Sequence, residues 1–181
     1  MKDAIVIVPY DPNWKAEFAE IGSGLRRGLH EHALRIDHIG STSIAGLDAK
    51  PVIDIQISIA LLEDLEAMSE GLASLGYVRR MDNLDLSKRY FRESEGMRRT
   101  HIHVREQGSF SEQFALLFRD YVRAHKHEAK RYAAIKYALA NSHRNDRERY
   151  VEEKEPYIWD MMRSASRWSQ KIGWKPGASD A

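Results

Sequence analysis

The chain has 181 residues, of which 43% are hydrophobic, enough for one domain with a single core and too many for a disordered chain. Its 28 Lys and Arg residues nearly balance 27 Asp and Glu residues, which argues against a protein that binds nucleic acid over its whole surface. Cysteine is absent, which excludes disulfides, thiolate metal sites and cysteine nucleophiles.

The first third of the sequence predicts one helix and two strands. Residues 4–8 form a short apolar run that is either a strand or a lead-in to the helix that follows. Asp11 and Pro12 have the residue types that cap and open a helix, and apolar residues follow at helical spacing. Strands are predicted at 34–39 and 52–59. In the second strand isoleucines alternate with polar residues, which gives it one apolar and one polar face.

The rest of the sequence predicts a helix, three more strands and a helical C-terminal part. The predicted elements are a helix at 62–75, strands at 77–81, 88–93 and 100–106, a helix that begins with a capping box at Ser109 and Glu112, a helix at 127–140, and a helix that begins at Asn145 and is kinked or interrupted at Pro156. This order indicates an α+β fold in one domain at 1–172, with a sheet-containing part at about 1–107 and a helical part at about 109–172. We expect the tail at 173–181 to be frayed.

A small polar loop, Gly40-Ser41-Thr42-Ser43, follows the strand predicted at 34–39. Glycine lets the backbone approach a ligand closely, and the N–H and hydroxyl groups of such a loop can donate to phosphate. The loop is not a Walker motif, because the GxxxxGK[ST] spacing is absent. It is therefore either a phosphate-binding loop or simply a turn.

Two predicted strands each place a pair of polar side chains on one face. Asp54 and Gln56 share the face opposite the isoleucines of their strand, and His101 and His103 share a face of another strand. A carboxylate in an apolar strand needs a partner if it is buried, although this face could also be solvated. Paired imidazoles can bind a metal, relay a proton or contact phosphate, or they can simply lie on a solvated strand.

Four basic residues are candidates for binding an anion. Lys50 and Arg92 lie close in sequence to the polar strands. Lys136 and Lys154 fall on helical stripes that also carry tyrosine and apolar residues. Lysines on such stripes often extend to the edge of the packed surface. Alternatively, the helices present these amines to a phosphate-bearing ligand.

Five short blocks, in consistent order over roughly residues 5–160, resemble the GrpB-like family. They are DHIGSTS at 37–43, AKPVIDI at 49–55, HIHV at 101–104, FRDY at 118–121 and YAAIK at 132–136. The resemblance implies a nucleotidyltransferase-like fold, with a mixed sheet, flanking helices and a helical C-terminal part. In that superfamily a Gly-Ser pair holds nucleotide phosphates, and carboxylates on neighbouring strands bind divalent metal.

The resemblance assigns roles to several residues and also shows departures. Gly40 and Ser41 match the Gly-Ser pair, and Asp54 matches the first carboxylate. Gln56 stands at the second carboxylate position, and the strand that would carry the third offers only histidines. One aspartate with His101 or His103 suits a softer ion such as Mn²⁺ or Zn²⁺ better than Mg²⁺, or suits no metal.

Residues and resemblance together predict a nucleotidyltransferase-fold protein that binds a nucleotide or a phosphorylated small molecule. It either catalyses metal-dependent nucleotidyl transfer or is a catalytically degenerate binding module. Residues 40–43 would hold phosphates together with Lys50, Arg92 and Lys154. The predicted catalytic residues are Asp54, His101, His103 and Lys136, of which the first three would also bind the metal.

Two weaker alternatives are hydrolysis or phosphotransfer carried out by the histidines, and RNA binding by the helical half. The sequence has no apolar run of the ~20 residues that would span a bilayer. We therefore expect a cytoplasmic protein with no membrane partner. The substrate and the oligomeric state stay open at this point.

Overall fold

The computed structural model describes residues 4–63 and 65–181 and has an α+β architecture built on one five-stranded mixed sheet. The strands are β1 (Arg35–Ile39), β2 (Ile53–Ile59), β3 (Tyr77–Arg79), β4 (Arg89–Glu93) and β5 (Thr100–Glu106). Their spatial order is β1-β2-β5-β4-β3, in which β2 and β5 are parallel and the other neighbours are antiparallel. The α+β prediction is confirmed, although the strand predicted at 77–81 already ends at Arg79.

Helices precede the sheet, connect its strands and follow it. Within the described residues they are α1 (Asn13–Leu29), α2 (Leu65–Ser74), α3 (Phe110–Ala124), α4 (Lys126–Ser142) and α5 (Arg147–Ile172). In that same part of the chain, none of the helices combines the length and the apolar character needed to cross a membrane. The apolar run at 4–8 is a lead-in, because its contact with the rest of the fold as β-structure is one bridge between Val8 and Ala49.

The cap predicted for α3 is confirmed, whereas α1 begins one residue later than predicted, with Pro12 as its N-cap residue and no side-chain cap on it. The Asp11 side chain accepts a hydrogen bond from the Asn13 backbone N–H at 2.9 Å, which satisfies one free donor of the first turn of α1. The Ser109 hydroxyl accepts one from the Glu112 N–H at 3.3 Å, as the capping box predicts for α3.

Helix α5 departs from the prediction at its start, and of the two alternatives predicted at Pro156 the interruption does not occur. Its cap is Asp146, whose carboxylate accepts from the Arg149 N–H at 3.0 Å, so the prediction of Asn145 as its first residue was wrong. The helix also continues through Pro156 without interruption. Proline removes one backbone donor, but this position is exposed, so water can satisfy the carbonyl group that loses its partner.

The central strands have one apolar and one polar face. Ile55 and the other isoleucines of β2 are buried in the core that α1 and α2 form with the sheet. On the opposite face the parallel register places Asp54 beside His101 and Gln56 beside His103. The fold thus brings together the two polar pairs that the sequence places on separate strands.

A second hydrophobic cluster joins the loop after β1 to the C-terminal helices. Ile44 and Leu47 of this loop are buried against Tyr132 of α4 and Met161 of α5. This packing fixes α4 and α5 beside the loop. As a result, side chains from two helices reach the same end of the sheet as Asp54.

The C-terminal tail lies along β1, in contrast to the frayed tail that we expected. The Ala181 N–H donates to the Ile36 carbonyl oxygen at 3.1 Å, and the His38 N–H donates to the Asp180 carboxylate at 2.9 Å. Asp180 also contacts Arg119 of α3 at 2.9 Å. Because β1 is an edge strand, its backbone groups are free to bond to the tail.

Candidate functional site

The loop after β1 packs directly against the Asp54 side chain. Gly40 has a φ of +68°, and a Cβ atom at this position would lie 2.5 Å from Asp54 Oδ2. Both the backbone conformation and the close contact therefore require glycine. Ser41–Ser43 then form a 3-10 turn, in which Ser43 Oγ donates to the Gly40 carbonyl oxygen at 2.7 Å.

Helix α4 brings the Lys136 amine to this loop. Lys136 Nζ donates to Ser41 Oγ at 3.0 Å and to the Asp48 carbonyl oxygen, and it lies 4.8 Å from the centre of the Tyr132 ring. Lys136 is only 3% exposed. Burial, followed by the charge of Lys154, lowers the pKa of Lys136 to about 7. The Lys136 amine therefore changes between its charged and its neutral form near pH 7.

Asp54 faces two imidazoles of β5. Its Oδ1 atom is 3.2 Å from His101 Nδ1 and 3.8 Å from His103 Nε2. The Tyr90 ring of β4 packs against both imidazoles, with centroids 5.5 and 5.2 Å away. Burial raises the pKa of Asp54, but the hydrogen bonds to the two histidines outweigh it and hold this pKa well below its usual range. Burial lowers the pKa of His103 to about 4, so its imidazole is neutral at pH 7.

A cavity of about 190 Å³, which we call the lysine cavity, opens beside Asp54. Its polar and aromatic lining residues are Ser41, Thr42, Lys50, Asp54, His101, Lys136, Arg147, Tyr150 and Lys154. Lys50 Nζ and Lys154 Nζ lie over the Tyr150 ring, 5.1 and 5.3 Å from its centre. Burial, followed by the charges of Lys154 and Arg147, lowers the pKa of Lys50 to about 8.

Most of the residues predicted from the sequence line this cavity, and four do not. Gly40 lies behind Asp54, and Ser43 lines a different cavity on the other side of the loop. His103 lies one step further along β5, beside Gln56. Arg92 forms an ion pair with Glu93 at 2.9 Å and is not among the lining residues of the lysine cavity.

Sequence reasoning missed Arg147 and gave Tyr150 no role in binding. Arg147 is the first residue of α5 and reaches the cavity only because that helix begins beside β2 and β5. Tyr150 is buried, and its ring holds two lysines. The sequence places Tyr150 on the same helical stripe as Lys154, and this spacing could have indicated the contact because aromatic faces attract cations.

The arrangement around Asp54 does not fit a metal ion held by Asp54, His101 and His103. Each histidine directs one ring nitrogen at the Asp54 carboxylate, and its other ring nitrogen is buried without a hydrogen-bond partner. Among residues 4–63 and 65–181, no three His, Asp or Glu side chains are grouped so as to hold a metal. Gln56, at the position of a second carboxylate, instead accepts a hydrogen bond from Arg105 at 2.6 Å.

Comparisons with known proteins place the chain in a family. A sequence profile described as GrpB protein matches residues 4–164. The chain belongs to the GrpB family. It is 34% identical over 169 residues to UPF0157 protein YqkA of Bacillus subtilis (strain 168), a match that covers 93% of this chain and 49% of YqkA. The chain spans about half the length of the first curated relatives that it matches.

Two solved structures define the fold. The crystal structure of GrpB from Enterococcus faecalis has a TM-score of 0.81 at 28% identity and covers 90% of this chain and 99% of that one. The structure of Cid1 in complex with its short product ApU has a TM-score of 0.51 at 13% identity. The match covers 75% of this chain and 43% of the Cid1 chain. At this identity the likeness to Cid1 concerns the fold alone. This chain therefore has a nucleotidyltransferase-like fold.

Proposed function

We propose that the lysine cavity binds the phosphate groups of a nucleotide or of another phosphorylated small molecule. The observation that carries this proposal is the convergence of three lysines and Arg147 on one small cavity. Asp54 is the single acidic side chain among the described residues that line it. Like charges this close repel one another in a partly buried site, and a bound phosphate would relieve that repulsion.

The lowered pKa values support the same conclusion. Burial, with the charge of Lys154 as the next cause, lowers the pKa of both Lys50 and Lys136. Amines in this state gain a proton when an anion binds beside them. Ser41 adds a hydroxyl at the mouth of the loop, and the Tyr150 ring keeps two of the amines in place. The choice of a nucleotide as the phosphate carrier rests on analogy with proteins of similar fold.

Nucleotidyl transfer is the second candidate, and the ionised carboxylate of Asp54 is the observation that favours it. The histidines hold the pKa of Asp54 below its usual range against the effect of burial, and Gly40 keeps the phosphate-binding loop in contact with it. In a binding module this carboxylate would only repel a phosphate. In an enzyme the Asp54 carboxylate would act on the reacting groups, and this role would explain a negative charge in the lysine cavity.

Titration calorimetry with ADP and with inorganic phosphate tests binding. Lys136→Met removes one buried charge while keeping a side chain of similar length, and we expect ADP to bind roughly 10- to 100-fold more weakly. Lys171→Met, at an exposed position of α5 outside the cavity, is the matched control and should bind normally. If neither ADP nor phosphate binds, or if both variants bind equally well, the proposed site is wrong.

Asp54→Asn separates the two candidates, because asparagine can still accept a hydrogen bond from His101. A binding module should bind ADP more tightly after this change, since the one acidic group in the cavity is gone. A transferase should lose turnover of a nucleoside triphosphate into pyrophosphate or phosphate. Turnover is followed by chromatography of the products, with and without Mg²⁺, Mn²⁺ and Zn²⁺. Unchanged turnover in this variant would remove Asp54 from catalysis.

A further inference from the structure

A second and wider cavity, which we call the outer cavity, lies on the other side of the loop at 40–43. Its volume is about 810 Å³, within the range of sites that hold small molecules. Thr42 lines both cavities, so the loop is the wall between them. The buried apolar part of the lining comes from Phe18, Val122 and Ala129, and the buried polar side chains of His38 and Thr42 lie beside it. None of the lysines of the first cavity takes part in this lining.

Three helices place basic side chains around the outer cavity. The basic residues are Lys15 of α1, Arg123 of α3, and Lys126 and Lys130 of α4. Lys126 and Lys130 lie one helical turn apart. Lys15, Lys126 and Lys130 are exposed, and the part of the chain that the structure describes gives none of them a hydrogen-bond or ion-pair partner. The cavity therefore has positive charge that the protein itself does not neutralise.

The acidic group of the outer cavity is already engaged elsewhere. Asp180 is the acidic side chain among its described lining residues. Its carboxylate lies 2.9 Å from Arg119 Nη1 and accepts the His38 N–H at 2.9 Å. Asp180 thus offsets the buried Arg119 rather than the lysines at the rim.

His38 adds a neutral hydrogen-bonding group to the lining. Its ring stacks on Phe18, with centroids 4.6 Å apart. Thr42 donates its one hydroxyl proton to the Val52 carbonyl oxygen at 3.0 Å, so the 3.0 Å contact between Thr42 Oγ1 and His38 Nε2 requires the imidazole to donate. Burial, followed by the charge of Arg123, lowers the pKa of His38 to about 4. At pH 7 the imidazole is therefore neutral, with its acceptor lone pair on Nδ1.

We propose that the outer cavity binds a small amphiphilic anion. An apolar body would lie against Phe18, Val122 and Ala129, and a carboxylate or phosphate group would be held by the lysines of α4. Apolar burial and unneutralised positive charge meet in this one cavity, and an amphiphilic anion satisfies both. The site is separate from the lysine cavity and does not depend on the function proposed for it.

Calorimetry with three eight-carbon probes tests this proposal on the full chain. Octanoate and octyl phosphate carry the two anionic groups, and octanol has the octyl chain of octyl phosphate without its charge. We expect saturable binding of at least one anion, at least ~10-fold tighter than that of octanol. The tighter of the two anions identifies the preferred group. Equal binding of octanol, or no saturable binding of either anion, overturns the proposal.

Two pairs of variants locate the binding. Ala19→Trp fills the outer cavity from an exposed position of α1 and should weaken anion binding at least ~10-fold. The control Ala73→Trp, on the exposed face of α2, should leave anion binding unchanged. The double variant Lys126→Ala, Lys130→Ala should reduce anion affinity to that of octanol, and the control Lys171→Ala, Lys175→Ala should not. Anion binding that survives both cavity variants would place it elsewhere on the protein and refute the site.

Discussion

Strands β2 and β5 have two faces that differ in what they contribute. On one face Ile55 and its neighbours are completely buried and hold the sheet to α1 and α2. On the other face, one residue away, Asp54 and His101 form a polar group beside a cavity lined by cations. The comparison indicates that fold stability and binding chemistry are assigned to alternate residues of the same strands. Variants on the two faces should therefore have separable effects.

The largest effect is expected on the apolar face. Ile55→Ala leaves a cavity where the side chain has no exposure, and we expect it to lower the free energy of unfolding by about 2–5 kcal/mol in urea titrations. Ile55→Val should cost about 0.5–1.5 kcal/mol. The folded fraction of both variants should bind ADP with unchanged affinity. A loss of affinity that is larger than the loss of folded protein would mean that the two faces are not independent.

Gly40→Ala tests the polar face at its closest contact. A side chain there must adopt a φ of +68° and displace Asp54, so we expect ADP binding to be lost and stability to fall by about 1–3 kcal/mol. Gly96→Ala is the control, because Gly96 has a φ of +82° and open space around it. It should show the backbone cost alone and bind ADP normally. If Gly40→Ala binds ADP as well as the control does, the contact with Asp54 has no role in the site.

The smallest effect is a pH dependence from the buried amine of Lys136, which α4 brings to the cavity beside the polar face. In the folded state the pKa of Lys136 is about 7, whereas its ordinary value is 10.5. Between these pH values the unfolded chain binds more protons than the folded one, so the stability without ligand should rise with pH from 7 towards 10. Below pH 7 both states are protonated and this contribution no longer changes.

Two variants assign this pH dependence to Lys136. Lys136→Met should show a smaller rise in stability between pH 7 and 10 when urea midpoints are compared. Ile55→Val should keep the full rise, although it is less stable at every pH. An identical pH profile of stability in the wild type and Lys136→Met would show that folding does not lower the pKa of Lys136.

Much of this arrangement follows from local sequence pattern. The strand at 100–106 has the predicted bounds, and β2 begins at Ile53 within the predicted range, because a period-two pattern of apolar residues leaves few other structures open. That pattern also fixes which side chains share a face. The parallel register that sets Asp54 beside His101 could not be read from either strand alone.

The parts that the sequence did not predict depend on distant contacts. Arg147 lines the lysine cavity only because α5 begins beside the central strands, and the tail is held because β1 has a free edge. Arg92 was predicted to face the ligand, yet its guanidinium contacts the adjacent Glu93. Residue types alone do not show whether the Arg92 guanidinium contacts the neighbouring carboxylate or a more distant ligand. Side-chain geometry decides it.

The most direct test of the central claim is the number of protons taken up when ADP binds at pH 8. Calorimetry in two buffers of different ionisation enthalpy measures this number. The pKa values of Lys136 and Lys50 are about 7 and 8 without ligand, and a bound phosphate raises them, so ADP binding should take up protons. Lys136→Met should take up fewer protons, and Lys171→Met should match the wild type. ADP binding without net proton uptake, or no binding at all, would contradict the account of a phosphate site built from buried amines.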